Sequence, residues 1–111
     1  MTIAWADFER VEMRVGRVVR AESFPEARAP SIKLWIDFGP EVGVRKTCAG
    51  IAPNYDPSSL PGRLVVAVTN FPPRQIGKFM SEVLVLGLPD ASGEVVLLGP
   101  DRDVPPGGRV Y

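Results

Sequence analysis

Residues 10–22 read RVEMRVGRVVRAE. Val11, Met13 and Val15 alternate with Glu12 and Arg14, which is the period of a half-buried strand. The alternation changes phase after Gly16. A glycine at a phase change predicts a bulge or sharp coil, as required where one long strand serves both halves of a small barrel. Upstream, Thr2 is the expected cap of a helix over residues 3–9, with Trp5 and Phe8 roughly on one face. So short a helix holds only if docked, either as a lid on its own barrel or against another subunit.

Downstream, residues 24–30 form a loop closed by two prolines. Ile32, Leu34, Ile36 and Phe38 then alternate with Lys33, Trp35 and Asp37, a second half-buried strand with Trp35 outward. A tight connection over residues 39–43 leads to a third strand at 44–49. There, adjacent Arg45 and Lys46 must point to opposite faces, so only one joins an outer basic patch, and the pattern does not fix which face Arg45 takes. Residues 50–62 carry three prolines and at most one helical turn near 56–60. A fourth strand covers 64–69. Residues 70–87, NFPPRQIGKFMSEVLVLG, begin as a loop, because Pro72 and Pro73 lack amide donors. They end in a fifth strand at 83–86, an unbroken apolar run with both faces expected to be buried. A short strand at 94–98 follows the turn at 90–93, and the tail is extended.

Five or six short strands punctuated by Gly and Pro, without a long amphipathic helix or a repeat, indicate an all-β fold in one domain, residues 1–111. A coiled first strand and an insertion between the third and fourth best match a five-stranded Greek-key barrel of the OB type. It would carry a short N-terminal helix and extended C-terminal additions. An SH3-like barrel is the second reading.

The composition excludes more than it assigns. The chain has no histidine, so a His-based triad or metal site is ruled out. The lone Cys48 precludes an internal disulfide, lacks an imidazole partner, and is read as a buried structural thiol in a reducing, cytoplasmic compartment. Asp101 and Asp103 read as solvated loop charges, and no Walker or GxGxxG loop is present. The N-terminus does not read as a signal peptide, and no run approaches a membrane span. These features point to a non-enzymatic protein without cofactor or metal. Twelve prolines, ten Arg against three Lys, one Gln and two Asn suggest a thermophilic source.

Binding is what remains. Net charge is zero, yet residues 10–78 hold 11 basic and 6 acidic side chains, against 2 and 5 beyond them. OB barrels usually bind on the face of strands 2 and 3 and on the loops joining strands 1–2 and 4–5. That surface collects Phe24 and Arg28 from the first loop, Lys33 and Trp35 from strand 2, and Arg45 from strand 3. Residues 70–82 add Phe71, Arg74, Lys78, Phe79, Met80 and Ser81. Cations interleaved with aromatics suit stacked bases and phosphates, whereas the same mix with Met suits an unfolded peptide. Phe71 and Phe79 read equally well as plugs of the barrel end, and Ser81 as a brace for its loop.

EMRVGRVVRAE, SIKLWIDFG, the AGI of residues 49–51 and NFPPRQIGKFMSEVLVLG together resemble the small tRNA-binding-domain family. The resemblance implies an OB barrel with extra terminal elements. It also implies homodimers joined through those elements, here Trp5, Phe8, Val110 and Tyr111. Family members that grip tRNA carry a pattern like S-x-G-M after the loop. Ser81 matches it, Val83 and Leu84 do not, and Glu82 adds a negative charge where phosphate would approach. KFMSEVLVLG is closer to a branch of export chaperones. The resemblance therefore implies reversible binding of unfolded preproteins, together with the secretion motor ATPase, and tRNA as the alternative ligand.

Overall fold

The computed structural model describes residues 1–111. In chain order the elements are α1 (Trp5–Glu9), β1 (Met13–Ser23), β2 (Ile32–Asp37), α2 (Gly39–Val42), β3 (Val44–Ala49), a 3-10 turn (Pro57–Ser59), β4 (Leu64–Val68), β5 (Arg74–Ile76), β6 (Phe79–Ser81), β7 (Leu84–Val85), β8 (Gly87–Pro89) and β9 (Val95–Leu97). The main sheet runs β3-β2-β1-β4-β7, all antiparallel. Hydrogen bonds between Glu82 and Lys46 join the segment before β7 to β3, so the five strands nearly close into an OB-like barrel.

The alternation in β2 decides the interior. Ile32, Leu34, Ile36 and Phe38 are buried beside Val18, Leu60, Val65 and Ala67. Gly16 has a different role from the expected bulge. A Cβ there would lie 2.5 Å from Ile36 Cγ2 and 2.8 Å from the Phe38 ring, so its missing side chain is what lets β1 lie against that layer. The register shift falls instead between Val18 and Arg20, where β1 passes from β4 to β2 as its main neighbour. The long-strand reading holds and its hinge moves.

Three further expectations are corrected. Ala4, not Thr2, caps α1: its N–H donates to the Asp7 carboxylate (3.0 Å), and the Asp7 N–H donates back to the Ala4 carbonyl. The tight connection after β2 is a single helical turn, α2, begun by Gly39 at φ +84° and ended by Gly43 at φ +81°. Residues 83–86 are not buried on both faces: Val83 faces the core, but Leu84 is 50% exposed. β7 is an edge element of two residues that pairs with β4 alone, so only one of its faces meets the barrel.

The ends of the chain meet on β1. Val15 exchanges backbone bonds with Gly107 and Gly108, Val110 donates to Met13, and the Arg109 guanidinium donates to the Glu9 carbonyl at 2.6 Å. Beside them the Glu12 carboxylate accepts from Thr69 Oγ1 at 2.6 Å and from Arg14 at 3.1 Å, and Arg14 also reaches the Gly107 carbonyl. These bonds hold the Glu12 carboxyl below its ordinary range, the Thr69 hydroxyl contributing most and Arg14 next. No helix is long and apolar enough to cross a membrane.

Candidate functional site

Antiparallel registry sets which side chains share the outer face of β1–β3. Arg20 lies opposite Trp35, Trp35 opposite Lys46, and Lys33 opposite Cys48, so these residues form one outer surface. Arg45 pairs instead with the fully buried Ile36 and stands on the other face. Lys46 therefore takes the place expected for Arg45.

Residues 74–81, expected as an irregular loop, fold into a hairpin of β5 and β6. Its two-residue turn is Gly77–Lys78, with Gly77 at φ +59° and Lys78 at negative φ, the arrangement of a type II′ turn with Gly first. The hairpin lays Phe79 on the outer surface and ties Ser81 to β3. Ser81 Oγ lies 2.9 Å from Thr47 Oγ1 and accepts the Cys48 N–H at 3.2 Å. Ser81 is thus a brace between hairpin and barrel. The Glu82 carboxylate accepts the Lys46 N–H at 2.9 Å, which occupies it with backbone.

Phe79 is the centre of a layered arrangement of rings and cations. Its ring lies 5.8 Å from Phe24 and 6.0 Å from Trp35, the latter edge-on. Lys33 Nζ sits 4.6 Å from the Phe24 centroid and 5.1 Å from that of Phe79. Lys46 Nζ lies 5.2 Å from Phe79, and the Arg20 guanidinium covers Trp35 at 4.6 Å. Arg20 has a carboxylate partner in Glu22; Lys33 and Lys46 have none. Two unpaired ammonium groups are thus held over one aromatic wall, positioned for an anion.

This geometry sorts the expected residues. Phe24 and Phe79 are only 5% and 8% exposed, so the protein's own lysines cover these two rings, whereas the Phe71 ring is 50% exposed. Lys33 and Trp35 are half-buried at the surface. Phe71, Arg74, Lys78 and Met80 are exposed, without ion-pair partners for either cation. Arg28 is exposed and joins Phe24 along a separate recess of about 360 Å3 in the loop after β1. Cys48 is not the buried thiol expected: it is half-buried and lines a cavity of about 700 Å3 beneath the hairpin, with Phe71, Pro73, Ile76, Val83 and Leu84. Sequence reading missed Arg20 and could not choose Lys46 over Arg45. Their only signal was registry with Trp35, which period-2 patterning does not supply.

An OB-like barrel with a cationic, aromatic outer face has the form of a binding module. Comparison with known proteins identifies the family. Residues 13–109 match the family model "Putative tRNA binding domain", and the chain belongs to that family. It is 46% identical to the chaperone CsaA of Bacillus anthracis, with a TM-score of 0.92 and all of both chains covered. It is 41% identical to the CsaA chaperone protein of Picrophilus torridus, again at a TM-score of 0.92, covering 99% of this chain and 100% of that one. It is also 39% identical to a methionine–tRNA ligase of Nitrosomonas eutropha over 109 residues, but spans only 15% of that enzyme's length.

Proposed function

We propose that this chain is a non-catalytic, export-related chaperone that reversibly binds unfolded preprotein segments on the β1–β3 face and the hairpin. The observation that carries the reading is the covering of Phe24 and Phe79 by Lys33 and Lys46. Bases cannot stack on those two covered rings, whereas carboxylates of an extended chain can meet the two ammonium groups. Exposed Met80, Phe71 and Leu84 beside them suit apolar side chains of varied shape. Likeness over the whole length to two CsaA chaperones supports the same reading.

The protein acts in the cytoplasm as a homodimer, joined through exposed Trp5, Val110 and Tyr111 and half-buried Phe8, and passes clients to the secretion motor ATPase. Two grooves in one dimer raise avidity for a long client. The competing reading is tRNA binding. The family match and the unpaired lysines favour it, and it would rest on shape and phosphate contacts rather than stacking.

A competition titration separates the two. A fluorescent unstructured preprotein segment is bound to the protein and challenged with bulk tRNA at low and moderate salt. Peptide binding that varies little with salt and resists tRNA supports the chaperone. Binding of tRNA alone, falling steeply with salt, overturns it, because phosphate contacts release counterions.

A further inference from the structure

β5 has a neighbour on one side only. Its partner β6 pairs Arg74 with Ser81, Gln75 with Met80, and Ile76 with Phe79. A two-residue turn makes the flanking pair, Ile76 and Phe79, the one that exchanges both hydrogen bonds. Antiparallel pairs alternate, so the next pair, Gln75 and Met80, does not exchange them, and the Gln75 N–H and C=O point away from β6. No backbone bond links residues 71–76 to any segment but β6. The edge thus offers one outward donor and one outward acceptor.

Side chains beside that edge alternate too. Arg74 and Ile76 share a face, and both line the cavity of about 700 Å3 together with Phe71, Val83 and Leu84. Arg74 has no carboxylate partner, and the nearby Glu82 carboxylate is held by the Lys46 N–H. Pro72 and Pro73 stop a ladder from running further, which confines any pairing to β5 itself.

We infer that an extended peptide adds to the outer edge of β5, pairing its backbone with Gln75 and directing an acidic and an apolar side chain, two residues apart, to Arg74 and the cavity. The spacing follows from the strand period: only residues i and i+2 of a guest strand face the same way. This rests on the chaperone reading and gives it a docking mode. Main-chain pairing accepts many sequences, and the cavity and Arg74 supply a short acidic–apolar preference.

The test uses the full chain and a labelled peptide in which one serine separates a glutamate from a leucine. Two further versions carry N-methyl groups on alternate backbone nitrogens, one version in each phase. A fourth peptide places the glutamate next to the leucine. One methylated phase is expected to lose about tenfold in affinity and the other little, as for one backbone hydrogen bond blocked. The adjacent-residue peptide is expected to bind several-fold more weakly. Gln75→Pro, which removes the outward N–H and spares the β6 bonds, reproduces the tenfold loss at unchanged melting temperature. If this variant unfolds, the methylated peptides decide.

If both phases bind as well as the parent, edge pairing is wrong while peptide binding stands. If no peptide binds, both readings fall. If Gln75→Pro instead converts a self-associated protein to monomer, the edge belongs to a second copy and the inference is overturned.

Discussion

At the scale of single residues, Phe79 and Lys33 separate stability from binding. The Phe79 ring is buried between Phe24, Trp35 and two lysines, so Phe79→Ala is expected to cost about 3 kcal/mol, measured by chemical unfolding. Lys33→Gln keeps much of the packing and removes the cation. It is expected to cost about 1 kcal/mol or less, while weakening binding of an acidic peptide far more. Equal losses in both properties for Lys33→Gln would make Lys33 a packing residue only. Glu12 gives a pH test. Its carboxyl is held low by Thr69 and Arg14, so its contribution is complete above the ordinary carboxylate range and fades as pH falls through its folded value. Glu12→Gln is therefore expected to destabilise at neutral pH and to differ little from wild type under strong acid. A constant gap between the two acid-unfolding curves would refute that assignment.

At the scale of elements, β2 was the most legible. Strict alternation from Ile32 to Phe38 named its buried face and placed Trp35 outside, because a sheet wet on one face enforces period 2. The hairpin was not legible in the same way. Two strands of three residues are too short to show a period, and Pro72–Pro73 signalled a loop. The usable signal was Gly77 as the first of two residues between Ile76 and Phe79, the requirement of a type II′ turn. Arg45 and Lys46 could not be separated by pattern, since adjacent residues always face opposite ways and only pairing with β2 chooses between them. Gly77→Val tests the element. Its φ of +59° disfavours a β-branched residue by about 1–2 kcal/mol, and its Cβ position is open, with Phe24 no nearer than 4.0 Å. The variant is expected to stay folded, with faster amide exchange confined to residues 74–82. Exchange that accelerates across β1–β4 as well would make the hairpin part of the barrel's cooperative unit.

At the scale of the whole molecule, the barrel followed from strand count, while the terminal arrangement did not. Residues 107–110 carry no strand pattern, yet they run along β1, because Gly107, where a Cβ would lie 2.6 Å from the Phe38 carbonyl oxygen, lets the backbone approach closely. The assembly proposed through Trp5, Phe8, Val110 and Tyr111 predicts that removing residues 1–9 yields monomers in sedimentation. An intact dimer would send the interface elsewhere.

The meeting of the two ends has a consequence for connectivity. Arg109 touches the Glu9 carbonyl, so the order in which the strands are threaded is not fixed by where the chain is cut. A short flexible linker from Tyr111 to Met1 would make the polypeptide a ring, and the ring could be opened at the exposed turn around Ser92 instead. The new chain would begin with β9 and end with β8, leaving every contact of the cationic face where it is.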